Sequence, residues 1–409
     1  MVKGWSVDGQ LYSEETPMRI RRARRATPRR IQAQWDISRV YHKGERFFAA
    51  LEDAIDKAHK SIDLESYTFA TDRLGERILS ALTRAVRRGV RVRVLVDGIG
   101  SSTWTRTLRT RAAEAKILFK VYHELPWERW WYSKRAGSTW GKLFNLLRLI
   151  NSRNHRKVCI IDSQQAFVGS MNIIDNHVTS VSGAKAWRDT GVFIEGADVK
   201  ALVDTFEGVW LGSFRRLKLK LRLKGRRAQS SELIRLNTRR RQRQDNYLDL
   251  LVRIVGSRTK VWITNAYFIP DGSLLRALSV AAQGGTDVRI LVPHFSDIVF
   301  IPWVAAAFHL GLLRAGVRVF EYTGAILHAK TMLVDEWGLV GSSNLNHRSL
   351  LHDLEADVVL PQERDRAELE RQFLIDLKSA SEVTIDNWQQ RPWIERCIGR
   401  ILLAFRYML

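Results

Sequence analysis

The chain has 409 residues, 45% of them hydrophobic, and a formal net charge of +23, with a pI near 10.4. That apolar fraction excludes a disordered chain, and the length exceeds one typical domain, so two units of similar size are expected. The charge points to anionic partners, nucleic acid or an acidic lipid surface, while two cysteines, Cys159 and Cys397, are too few for a disulfide framework and fit a reducing compartment.

In chain order, residues 1–39 read as a basic N-terminal segment, with Arg19, Arg21, Arg22, Arg24, Arg25, Arg29 and Arg30 where a signal peptide would need an apolar core. A first unit is expected over 40–213. Within it, 61–69 reads as a strand, 76–88 as a helix with Ile78, Leu79, Leu82, Ala85 and Val86 on one face, and 92–97 as a second strand. An aromatic and basic insert, 127–149, follows. Residues 214–246 form a charged stretch, either a solvated linker or a surface for phosphate.

The second unit, 247–380, repeats the first after about two hundred residues: a strand over 261–268, a helix that Ser273 can cap, and a strand over 288–292. The apolar stretch 298–313 is broken by Pro302 and His309 and falls short of the roughly 20 residues of a spanning helix. The tail, 381–409, sets Trp393, Ile394, Ile398, Ile401, Leu402 and Phe405 broadly apart from Arg396 and Arg400, as an interfacial helix would. The fold class expected is α/β, with two similar halves.

Each half carries His-x-Lys-x4-Asp followed by Gly-Ser-x-Asn. The residues are His155, Lys157, Asp162, Ser170 and Asn172, then His328, Lys330, Asp335, Ser342 and Asn344. One copy in a chain this long is weak evidence; two with the same tail are strong. In extended chain, positions i and i+2 share a face, so each half presents an imidazole and an ammonium together. Two such pairs suit a phosphodiester: one histidine attacks phosphorus and the other protonates the leaving alkoxide. The lysines and asparagines, with Ser170 and Ser342, then bind the phosphate oxygens without a metal. A lysine beside each histidine also speaks against zinc.

A nucleophilic imidazole needs an acid on its other nitrogen, and Asp189 and Glu355, each opening an apolar run downstream of a histidine, are the candidates. Asp162 and Asp335 are counted with the catalytic motif, although their place at a strand-to-turn junction favours bonds to backbone N–H groups.

These residues resemble the phospholipase D superfamily. The second half is similar to bacterial cardiolipin synthases in particular, through Asn265-Ala-Tyr-Phe-Ile-Pro-Asp-Gly-Ser-Leu-Leu, Phe320-Glu-Tyr-Thr-Gly-Ala-Ile-Leu-His-Ala-Lys-Thr and Gly341-Ser-Ser-Asn-Leu-Asn-His-Arg-Ser-Leu, and the likeness covers about 40–375. It implies two α-β-α sandwich halves with the site at their interface, a phosphohistidine intermediate, no cofactor or metal, and phosphatidyl transfer from phosphatidylglycerol to a second lipid or alcohol. Relatives in which the first motif attacks imply that His155 is the nucleophile and His328 the general acid. The basic approach through Arg153, Arg156 and Lys157 agrees. Lacking the spanning helices with which anchored members begin, the chain is closer to the shorter peripheral (B-type) synthases, acting on the cytoplasmic side of the bacterial inner membrane. The competing functions are a phosphodiesterase acting on nucleic acid, since nucleases of the superfamily share the histidines, and a catalytically idle binding protein.

Overall fold

The computed structural model describes residues 15–124, 152–212, 221 and 231–391. The insert 127–149, the tail from 393 and most of the stretch 213–230 lie outside these residues.

Two mixed sheets organise the chain. The first has strands β1 Ile37–Tyr41, β2 Ser61–Ser66, β3 Arg91–Asp97, β4 Leu118–Tyr122, β5 Val158–Ile161, β6 Gln165–Gly169 and β7 Gly191–Glu195, in the order β1-β7-β6-β5-β2-β3-β4. The second has β8 Ile234–Leu236, β9 Lys260–Asn265, β10 Asp287–Pro293, β11 Arg318–Tyr322, β12 Lys330–Val334, β13 Trp337–Gly341, β14 Ala356–Leu360 and β15 Ala380–Val383, in the order β15-β11-β10-β9-β12-β13-β14-β8. Apart from β15, the two orders are the same when β2 is matched to β9. The internal repeat read from the sequence is therefore a repeat of topology.

Local chemistry explains why the repeated pieces form. In β2 every residue is buried, so Ile62 and Leu64 face the helices while Asp63, on the other side, takes both Nε and Nη2 of Arg93 at 2.7 Å. The next helix, Arg73–Arg87, is capped by Asp72, which accepts from Gly75 N, and buries Leu74, Ile78, Ala81, Leu82 and Ala85 at helical spacing. Its counterpart, Gly272–Gln283, is capped by Asp271, which accepts from Leu274 N. Ser273, expected as the cap, is instead buried within the first turn.

Three apolar clusters define the layers. One joins the outer helices of the first half to its sheet, and one does the same for the second half. The third lies between the sheets and mixes Val158, Ile160, Val168 and Phe206 with Leu333, Val340, Val358 and Phe373. The two α-β-α halves thus share a core, so neither interface sheet face is left to solvent.

Three stretches are placed by the fold. β8, inside the stretch read as a linker, pairs with β14, and the helix Arg240–Val255 starts there too. The helix Glu15–Arg25 of the basic N-terminal segment buries Ile20 and Ala23 in the core of the second half, leaving Arg21, Arg22, Arg24 and Arg25 outward. The apolar stretch 298–313 becomes the helix Ile301–Arg314, whose Ile301, Val304, Phe308 and Leu312 pack into that same core. Among the described residues no helix is long and apolar enough to cross a membrane.

Candidate active site

The two histidines lie just ahead of equivalent strands, β5 and β12, at the seam between the halves. Two short backbone bridges stitch that seam. His155 N donates to Leu354 O at 3.0 Å and Leu354 N to Arg153 O at 2.8 Å. His328 N donates to Arg188 O at 2.8 Å and Arg188 N to Ile326 O at 2.9 Å.

Each bridge delivers the acid that follows it. Glu355 comes directly after Leu354 and meets His155, with Nδ1 3.0 and 3.1 Å from its two oxygens. Asp189 comes directly after Arg188 and meets His328, with Nδ1 2.8 Å from Oδ2. Both acids foreseen from the sequence orient histidines, but crosswise: each histidine is held by the carboxylate of the other half. The bond through Nδ1 leaves Nε2 of each ring to act, as a nucleophile where the ring is neutral and as a proton donor where it is protonated.

The serines of Gly-Ser-x-Asn serve these acids and not a phosphate. Ser170 Oγ donates to Asp189 Oδ1, and Ser342 Oγ donates to Glu355 Oε2 at 2.5 Å. With their single protons committed to buried carboxylates, Ser170 and Ser342 have none to give a substrate oxygen. The preceding glycines are required by close packing, since a Cβ on Gly169 would sit 2.6 Å from Gly191 Cα and one on Gly341 1.9 Å from Asp357 Oδ1.

Asp162 and Asp335 are held away from the histidines. Asp162, at φ 52°, accepts from the backbone N–H groups of His59, Lys60 and Ser61 at 2.7–3.0 Å. Asp335, at φ 48°, accepts from those of Arg258, Thr259 and Lys260 and from Thr259 Oγ1. Aspartate tolerates this left-handed turn and ties β5 to the start of β2, and β12 to the start of β9. These bonds lie at the strand ends away from the histidines.

Lys157 and Lys330 do lie at the site. Each Nζ donates at 2.6 Å to the carbonyl of its own histidine, and Lys330 Nζ is also 3.2 Å from His328 Nε2. Tyr67 and Tyr267 flank them: Lys157 Nζ lies 5.1 Å from the Tyr67 ring and Lys330 Nζ 5.9 Å from that of Tyr267, while the same rings stand edge-on to His155 at 5.0 Å and His328 at 6.3 Å.

Asn172 accepts from Thr68 N at 3.2 Å and through its own N–H contacts His177 Nε2. The N–H of Asn344 contacts Ser349 Oγ, and its buried Oδ1 has no hydrogen-bond partner among the described residues. Ser349 in turn donates to Glu355 at 2.7 Å, and His177 Nδ1 lies 3.6 Å from Asp189.

Sequence reasoning missed the tyrosines, which stand one position out of register in the repeat (Tyr67 corresponds to Ala266 and Tyr267 to Thr68), and missed His177 and Ser349. These last two fall at the same offset from their asparagines but differ in type, so identity gave no signal.

Arg153 and Arg156 do not make a basic approach. Arg153, 1% exposed, is paired with Asp97 at 2.7 Å, and Arg156, fully buried, faces Glu65 at 3.0 Å. Their charges are neutralised within the first half.

Burial, with Lys157, Lys330 and His328 nearby, holds His155 well below the usual histidine range. Burial and Lys330 also lower His328, while Asp189 pulls it back toward protonation. Burial would raise Asp189, but His328, His177 and Lys330 more than offset it and keep it ionised. Glu355 goes the other way, pushed up to about 7 by burial despite Lys157. One histidine therefore faces a full negative charge and the other a carboxyl near its midpoint, an asymmetry that suits opposite proton duties.

Lys330 is pushed down to about 8 and Lys157 to about 7 by burial. A group with a lowered pKa is charged below that value and neutral above it. The value of kcat/KM should therefore fall as pH rises through 7 to 8, where the cations facing the phosphate are lost, and the acid limb should lie below the 6 to 7 range of an ordinary histidine pair. A profile flat to pH 10 would contradict this.

Residues 51–210 and 250–377 match a sequence family described as cardiolipin synthase, PLD-like domain. The chain belongs to this family. It is 31% identical over 377 residues to a cardiolipin synthase of Clostridium perfringens (strain ATCC 13124), covering 89% of this chain and 75% of that protein. It is 29% identical over 375 residues to one of Geobacillus sp. (strain WCH70), covering 89% and 70%. The fold is similar to that of phosphatidylserine synthase from Haemophilus influenzae, with a TM-score of 0.68 at 13% identity, covering 96% of this chain and all of that one.

In this member of the cardiolipin synthase family, His177, Asp189 and His328 are close enough to surround a small ion. Several of their atoms are already engaged, however: Asp189 with His328 Nδ1 and Ser170, and His177 Nε2 with Asn172 N, which leaves His177 Nδ1 without a hydrogen-bond partner among the described residues. The Lys330 ammonium beside His328 Nε2 further disfavours a cation there.

Proposed function

We propose that the chain transfers the phosphatidyl group of phosphatidylglycerol, or a related phospholipid, to the hydroxyl of a second lipid or alcohol through a phosphohistidine on His155. Membership of the cardiolipin synthase family makes it a phosphatidyltransferase of the phospholipase D superfamily. The observation that carries the finer reading is the crossed pair of histidine–carboxylate dyads, His155 with Glu355 and His328 with Asp189.

His155 Nε2 attacks phosphorus while Glu355 takes up its Nδ1–H bond. His328, whose protonated form ionised Asp189 favours against burial and Lys330, gives its Nε2 proton to the departing glycerol oxygen. The acceptor hydroxyl then returns a proton to His328 as its oxygen displaces His155. Lys157 and Lys330 neutralise the non-bridging oxygens, and Asn172 and Asn344 assist them. The enzyme works as a peripheral protein on the cytoplasmic side of the bacterial inner membrane, with the arginine face of the helix Glu15–Arg25 turned toward anionic lipid, where each cation contributes roughly 1 kcal/mol.

The test is direct. Purified protein with vesicles of phosphatidylglycerol should release glycerol and form cardiolipin, detected by mass spectrometry. Cleavage of nucleic acid with no change in the lipid would reverse the reading. Because the lysines supply the positive charge, the same assay in EDTA should retain its rate within about twofold. Loss that only added divalent cation restores would show that the lysines do not suffice.

A further inference from the structure

The loop between β10 and the helix Ile301–Arg314 carries a carboxylate that the two-histidine chemistry leaves unused. Asp297 is exposed and accepts the Tyr267 hydroxyl, 2.8 Å from Oδ1 and 2.7 Å from Oδ2, with Ser296 Oγ 3.0 Å from Oδ1. Tyr267 is the ring that stands over Lys330 and edge-on to His328. Partial desolvation at the rim would raise Asp297, but His328, the Tyr267 and Ser296 hydroxyls and Lys330 together hold it below the usual carboxylate range. An ionised acid thus sits at the rim, on the side of His328. Among the described residues no lysine or arginine forms an ion pair with it.

The His155 side is different. There the acids that act on Tyr67, Asp97 and Asp353, are buried and paired with Arg153 and Arg348. A free negative charge beside a phosphodiester site repels the phosphate. What it favours is a hydrogen-bond donor on the substrate, and the substrate group on the His328 side is the alcohol, which leaves in the first step and attacks in the second.

We propose that Asp297, held in place by Tyr267, binds the acceptor alcohol through the hydroxyl next to the one that attacks, so that the site selects vicinal diols such as a glycerol headgroup. This rests on the transfer reading above. In the second step the attacking hydroxyl gives its proton to His328 Nε2 and its oxygen bonds to phosphorus. The phosphorus–nitrogen bond breaks with its electron pair returning to His155. The neighbouring hydroxyl keeps its proton and donates a hydrogen bond to Asp297, a charge-assisted bond that a simple alcohol cannot make.

The experiment offers the full-length protein, on phosphatidylglycerol vesicles, equal concentrations of 1,2-propanediol, 1-propanol and ethanolamine, and measures the three phosphatidyl products by mass spectrometry. All three compete for the same intermediate, so the product ratio reports the acceptor step alone. The wild type should favour the diol over 1-propanol by about tenfold. Asp297→Asn should bring that ratio near one, and Tyr267→Phe should fall between. An unchanged ratio in Asp297→Asn overturns the proposal, as does a loss confined to the ethanolamine product. Absence of transfer to any acceptor in the wild type would remove the transfer reading itself, and this inference with it.

Discussion

His155→Ala should abolish phosphatidyl transfer, and His328→Ala should slow it by about 10³- to 10⁴-fold, the upper range for loss of a general acid. The two losses are different in kind. Without His155 no group is placed to form the covalent intermediate. Without His328 the attack can still occur, but glycerol must leave as an unprotonated alkoxide. A phosphatidyl donor bearing p-nitrophenol, which departs as a stable anion, should therefore restore release of the first product in His328→Ala and not in His155→Ala. Near wild-type transfer by either variant with phosphatidylglycerol would mean that a single half holds a complete site, against the crossed contacts between them.

The second large effect follows from that crossing. Asp189→Asn and Glu355→Gln should each lower kcat by roughly 10²- to 10⁴-fold, because an amide can present the wrong partner to the ring nitrogen and cannot stabilise the imidazolium. Asp189 acts through His328, so its variant should recover with the p-nitrophenyl donor. Glu355 acts through His155, so its variant should not. If each acid served the histidine of its own half, the pattern would be reversed. The double variant Asp189→Asn/His328→Ala should be scarcely slower than His328→Ala alone, since the two residues act as one unit.

Much of this was legible in the chain. Apolar periodicity and the returning strand-helix-strand pattern located the elements that become β2, β3, β9 and β10, and the doubled motif located His155, Lys157, His328 and Lys330. What the sequence hid was non-local. Which carboxylate meets which histidine depends on the bridges Asn154–Leu354 and Arg188–Leu327 across the seam, and no spacing encodes them. The same holds for Ser170 and Ser342, whose hydroxyls face acids brought alongside by β7 and β14, and for Arg153 and Arg156, whose charge looked available until Asp97 and Glu65 were found beneath them. Edge strands β1 and β8 were missed because their short segments are strands only through pairing with β7 and β14. Asp162 and Asp335 show the opposite case: their junction position pointed to the backbone bonds that they make, and their membership of the motif to a site from which those bonds hold them away.

The central claim is that phosphorus passes through His155 within a site built by both halves. It is tested by mixing His328→Ala with radiolabelled p-nitrophenyl phosphatidyl donor, quenching rapidly in base, and mapping the peptides. With the first step restored and the second impaired, label should accumulate on the peptide containing His155 and be released by acid. Label on another peptide, or none while p-nitrophenol is released, would contradict it.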